Sequence, residues 1–202
     1  LEAWQLGWAS FFFLAMIITK PSYTSGTDVV SLTDMKLFLR VDGSDEDDTI
    51  TALLDAAVAH ISDYTNRHFT ADGATKFYLS RWRSASLAFG PVTRVAAVKY
   101  YDRAGAEQTL DPSKWYVQKL TDNTTRIYFH DTPDLEEYNA SPVTIECNCG
   151  AAESASIQVA TKLLVAHWFE NRRAVVTGAS VNTVPLSVHS LLNSERIIDM
   201  RQ

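Results

Sequence analysis

The stretch from Ser31 to Phe69, SLTDMKLFLRVDGSDEDDTITALLDAAVAHISDYTNRHF, constrains this chain more than any other segment. It reads as a short helix, an acidic turn and a long amphipathic helix. Ser31 suits an N-cap, and Met35, Phe38 and Leu39 follow at helical spacing. Asp42-Gly43 breaks the chain, and Ser44 restarts it with Asp45, Glu46, Asp47 and Asp48 in the first turn. Carboxylates there complement the positive end of the helix dipole. Ile50, Leu53, Leu54, Ala57, Val58, Ile61 and Tyr64 then form an unbroken apolar stripe. The spacing predicts helices near 32–40 and 45–68, with much packing surface and little chemistry. Such a pair points to a structural or assembly role.

At 202 residues the chain has room for one sizeable domain, or a compact domain carrying an inserted subdomain. Its 46% hydrophobic and 21% charged residues are ordinary globular values, which argues against wholesale disorder. A net charge of −6 argues against a general nucleic-acid binder, though not against a protein that surrounds DNA without gripping it. The cysteines of Cys147-x-Cys149 lie too far apart in an extended strand for a relaxed disulfide. They read as small buried hydrophobes, consistent with a reducing compartment.

The N-terminal LEAWQLGWASFFFLAMII is strongly apolar, but its clean run from Leu6 to Ile18 falls short of the ~20 residues of a membrane helix. It also lacks the basic start of a signal peptide, and no membrane association is expected. Two readings stand. Met16 is the natural start, with residues 1–15 an upstream extension, or Trp4, Trp8 and Phe11 to Phe13 belong to an interaction arm.

After Phe69 the pattern alternates. Strands are expected at Lys76 to Trp82, over VTRVAAVKYYD, at Gln108 to Leu110, at Trp115 to Val117, at Thr125 to Phe129 and over PVTIECN, while Leu87 to Phe89 leads into the Gly90-Pro91 break. Helix returns at Ser154, and its stripe includes Ile157, Ala160, Thr161, Leu164, His167 and Trp168. A small-residue run, AVVTGASVNTVP, leads into LSVHSLLNSERIIDMRQ, which reads as a short helix. The predicted class is α+β: a small helical bundle (helices near 32–40, 45–68, 155–172 and a short C-terminal helix) with an inserted antiparallel β subdomain. Residues 1–27 form an extension or arm, 28–73 and 151–173 the helical core, 74–150 the insertion, and 174–202 a flexible C-terminal arm.

Candidate chemistry is sparse. Measured against a calcium loop, DGSDEDD has its glycine second from Asp42 and Leu53 where the closing glutamate belongs, so helix capping is the better reading. His60, His68, His130, His167 and His189 form no HxxxH or HExxH pair. No GxSxG elbow, phosphate loop or GxGxxG fingerprint is present, and no carboxylate pair stands out. No catalytic residue, metal site or cofactor is predicted. Trp82, Tyr100 and Trp115 would have to line a ligand-sized pocket if the chain were a peptide- or sugar-binding module.

With these segments placed, the chain resembles the head–tail connector proteins of tailed bacteriophages, also called head-completion or adaptor proteins. The likeness rests on three blocks. Lys36, Leu39, Arg40 and Val41 precede the acidic turn and a long helix ending in Tyr64-Thr65-Asn66-Arg67. FGPVTRVAAVKYYDRAGAEQTLDPSKWYV looks like the β insertion of longer members. ATKLLVAHWFENRRA, followed by VPLSVHSLL, is similar to the family's third helix, loop and tail. These blocks span most of residues 28–196.

The resemblance implies a virion structural protein, not an enzyme, sitting at the head–tail junction and assembled in the bacterial host cytoplasm. It implies a ring of about twelve copies beneath the portal protein, with double-stranded DNA passing through the lumen unbound. A stopper or tail-completion protein would dock next. A tail-completion role, or a non-viral peptide- or sugar-binding module, is the alternative. Asp48, Thr51, Asp55, Ser62 and Asn66 are the expected subunit interface. Leu191, Leu192, Glu195, Arg196, Ile197, Ile198 and Met200 are the expected portal-docking residues, on an arm ordered by its partner.

Overall fold

In the computed structural model, residues 17–69, 73–120, 124–150, 154–171 and 186–197 are described. Helices α1 (Gly26–Val29), α2 (Leu32–Leu39), α3 (Asp47–Thr65), α4 (Ala155–Glu170) and α5 (Leu186–Asn193) build one layer. Its core is the meeting of the α3 and α4 stripes, among them Leu54, Ile61, Ile157 and Leu164, closed by Val188 and Leu192 of α5. The periodicity of 31–69 is therefore realised as packing.

The acidic turn works differently from a simple cap. Helix α3 begins at Asp47, Glu46 occupies its N-cap without a side-chain capping bond, and Ser44 lies in the turn before it. Asp47 instead receives the Lys36 ammonium at 2.6 Å, tying α2 to α3. Ser31 does cap α2, accepting the Asp34 N–H at 3.1 Å. Helix α3 stops at Thr65 because Asn66 turns left-handed (φ 56°), a conformation asparagine tolerates well. His68 and Phe69 consequently lie beyond the helix.

Between α3 and α4 come strands β2 (Gly73–Leu79), β3 (Ala85–Leu87), β4 (Val92–Tyr101), β5 (Glu107–Thr109), β6 (Trp115–Lys119), β7 (Thr125–Phe129) and β8 (Val143–Cys149). They are antiparallel, and with β1 (Ile17–Thr19) they form a five-stranded sheet in the order β1-β2-β8-β4-β5 and a three-stranded sheet β3-β7-β6. Strand β8 is the middle of the larger sheet, and its alternation places Val143, Ile145, Cys147 and Cys149 in the β core. Both cysteines are free thiols. Burial pushes the Cys149 thiol up to about 11, and Cys147 further still. The fold is α+β with an inserted antiparallel part.

Residues 17–27 depart from the expected arm. Ile17–Thr19 pairs with Lys76–Tyr78, extending the larger sheet, and α1 lies against α3. That packing is close because a Cβ at Gly26 would sit 2.3 Å from the Leu54 carbonyl carbon. Residues 1–16 lie outside the described residues. The helical and β parts meet where Gly90 inserts beside the end of α3. The His68 N–H donates to the Gly90 carbonyl at 2.9 Å, and the Gly90 N–H to that of Asn66 at 3.1 Å.

Candidate interaction surfaces

Helix α3 turns its polar side outward, as the interface reading requires, but only part of that set is available. Asp48 is exposed, and Asp55 is exposed while accepting the Gly26 N–H at 2.7 Å and the Ser25 hydroxyl at 3.3 Å. Thr51 is half-buried, its hydroxyl donating to the Asp47 carbonyl at 2.8 Å. Ser62 corrects the expectation: it is buried, and its hydroxyl donates to the Arg67 carbonyl inside the subunit. Asn66 is half-buried, and its amide donates to the Ile197 carbonyl at 3.1 Å.

The C-terminal residues differ more from the expectation. Leu192 and Ile197 are each 1% exposed, so the apolar side chains assigned to a partner groove are covered by their own subunit. The Ile197 N–H donates to the Thr65 carbonyl at 2.8 Å. Glu195 accepts from the Arg67 guanidinium and from the Ser154 hydroxyl, which also caps α4. Leu191 packs half-buried on the helical core, and Arg196 is exposed with its guanidinium 5.2 Å from the Tyr64 ring centre. Ile198 and Met200 lie outside the described residues, as does 172–185. The physical reason is plain: an apolar stripe signals that something covers it, not whether the cover comes from the same chain.

The N-terminal segment carries a site that sequence reading missed, because 17–27 looked like an arm. Lys20 pairs with Asp63 at 3.0 Å, and the Tyr23 hydroxyl donates to the same carboxylate at 2.7 Å. Burial alone would raise the Asp63 carboxyl, but those two hydrogen bonds outweigh it and hold it below the usual range. Beside them lies a 460 Å³ cleft lined by Tyr23, Thr24, Ser25, Asp55, Ala56 and Ala59. Thr24 is 8% exposed, and its hydroxyl has no hydrogen-bond partner among the described residues. The composition of PSYTSGTD offered no signal for this beyond its turn residues.

Trp82 packs its ring 5.6 Å from Tyr100 and 5.2 Å from Phe129, and its indole donates to the Pro133 carbonyl at 2.7 Å. With Trp115 these rings pack against the β core. Among the described residues no three His, Cys, Asp or Glu side chains are grouped to hold a metal. No described helix is long and apolar enough to cross a membrane.

Among curated proteins none matches the chain. Solved structures with the same fold include chains of gene transfer agent particles. A chain in the neck of an empty gene transfer agent particle, computed with C6 symmetry, superposes with a TM-score of 0.70 at 22% identity, over 92% of this chain and 98% of that one. A chain in the virion of a native gene transfer agent particle gives 0.68 at 23% identity, with the same coverage. One in the neck of a native particle computed with C12 symmetry gives 0.65 at 18%, again over 92% and 98%. The head completion protein model matches residues 28–196, spanning both the helical layer and the β insertion. The chain belongs to the head completion protein family, a family of virion structural proteins.

Proposed function

We propose that this chain is the head–tail connector of a phage-like virion: an adaptor that forms a ring beneath the portal protein and extends the DNA channel. The observation that carries this reading is the family match across residues 28–196, which includes helices α2 to α5 in full. The ring is supported by the same fold occurring in necks computed with C6 and C12 symmetry, and twelve copies fit both. A net charge of −6 suits a wall along which DNA slides, because phosphates are repelled instead of held. The subunit works by position, and no cofactor enters the reading.

Asp48, Thr51 and Asp55 are the proposed ring-contact residues on α3. For the portal, Leu191, Arg196, Ile198 and Met200 remain the proposed docking set, with Leu192, Glu195 and Ile197 rooting the segment in its own subunit. The opposite end of the ring receives a stopper or tail-completion protein. Assembly takes place in the host cytoplasm, and the finished ring stays in the virion neck. Imaging of particles carrying this chain tests the reading: a closed ring of copies in contact with the portal is expected. A single asymmetric copy, or a location away from the head–tail junction, overturns it.

A further inference from the structure

Helices α3 and α4 pack on one another through their buried stripes, so their remaining faces point away from each other. On α3 the outward face is Asp48, Ala52, Asp55, Ala56, Ala59 and Asp63. On α4 it is Ala155, Val159, Lys162, Leu163, Ala166 and Glu170. The two sets share one spacing (i, i+4, i+7, i+8, i+11, i+15), so each runs straight along its helix. Their chemistry is complementary. The α3 face is small and acidic, with the 460 Å³ cleft opening at Ala56 and Ala59. The α4 face presents Val159, 47% exposed, beside Lys162, which has no ion-pair partner among the described residues.

We propose that the outward face of α4 in one copy docks on the outward face of α3 in the next. The inference rests on the ring reading and adds to it the surface that builds the ring. A copy carrying two different, mutually fitting faces on opposite sides associates head to tail, and such contacts close into a ring when the rotation fits. Alanines on α3 let the neighbouring helix approach closely, and Val159 fills the space between them as a ridge fills a groove. Lys162 meets the exposed carboxylate of Asp48, where opposite charge sets register and rejects wrong pairings. Asp63 stands apart from that role, since Lys20 and Tyr23 already engage it within the subunit. The unpartnered Thr24 hydroxyl, more than nine-tenths buried, lines the same cleft and gains a polar neighbour there.

The test uses the full-length chain in particles that carry the portal. A variant with both Ala56→Cys and Val159→Cys, treated with a short bismaleimide, should yield a ladder of linked copies up to the closed ring. Each single variant should yield none. Charge reversal gives an independent readout. Lys162→Glu and Asp48→Lys should each lower ring occupancy roughly tenfold, and the double variant should recover most of it. Rings intact by imaging, but with no ladder and no effect of reversal, would overturn the α3–α4 contact and leave the ring standing. Particles of the unaltered protein without any ring would overturn both.

Discussion

Arg67 and Glu195 stand 128 residues apart in sequence and share an ion pair at the meeting point of α3, α4 and the C-terminal segment. Their side chains are only 10% and 16% exposed, so neither charge has water to fall back on. Replacing Glu195 by alanine strands the guanidinium and leaves the Ser154 hydroxyl without its acceptor. Partners removed from buried pairs cost about 3–5 kcal/mol, and the residual exposure here brings the expected loss to about 2–4 kcal/mol. Urea denaturation of Glu195→Ala checks it, and an unchanged midpoint would show that the pair contributes nothing.

Gly26 sets how closely α1 approaches α3. A Cβ there lands 2.3 Å from the Leu54 carbonyl carbon and 2.6 Å from the Asp55 nitrogen, both backbone atoms that cannot step aside. Gly26→Ala should therefore lower stability by about 2 kcal/mol or more, even though alanine favours helix elsewhere. The readout is the thermal midpoint, with Ser25→Ala as a mild control. A variant as stable as the parent would mean that α1 shifts freely on α3.

His68 supplies a pH dependence. Burial disfavours its charged form and lowers its pKa from the ordinary 6.5. Below that value the unfolded chain binds more protons than the native one, so this contribution is full above about pH 6.5 and is lost as pH falls toward the folded value. The denaturation midpoint should drop as pH falls below about 6.5, and His68→Gln should flatten that drop. An identical pH slope in the variant would assign the dependence to other groups.

How much of this was legible in the sequence follows from what each signal encodes. Leu54, Ile61, Ile157 and Leu164 announced buried faces by their spacing, and β8 announced itself by alternation. Asn66 ended α3 short of the expected 45–68, because backbone geometry and not hydrophobicity stops the helix there. Ser62 looked exposed by type, yet the Arg67 carbonyl satisfies its hydroxyl in the interior. The partition of the strands into two sheets left no local trace, since pairing is a long-range choice. Leu192 and Ile197 carried the right apolarity and the wrong partner.

The β insertion should be separable from the helices. Gly73 and Cys149 are paired residues at the ends of β2 and β8, so the chain enters and leaves the insertion at neighbouring points. Each part also has its own core cluster. Replacing 74–150 with a short linker is expected to keep the helical circular dichroism. The melting temperature should fall, because the Gly90 bonds to Asn66 and His68 are lost. Collapse of the helical signal would show that the two clusters are one cooperative unit.

Two truncations separate the root of the C-terminal segment from its docking end. Ending the chain after Arg173 removes Val188, Leu192 and Ile197, each at most 1% exposed, from the helical core. Core leucines alone cost about 2–5 kcal/mol when cut back, so that variant should fail to fold stably. Ending it after Ile197 keeps the core, the Glu195 pair and the Ile197 bond to Thr65, and removes only 198–202. This shorter loss should leave the melting temperature close to that of the parent while taking Ile198 and Met200 from the proposed portal surface. Losing about 1.4 kcal/mol of docking energy weakens attachment tenfold, so yields of completed heads should fall by roughly that factor or more. Normal yields from the chain ending at Ile197 would show that docking to the portal lies elsewhere on the subunit.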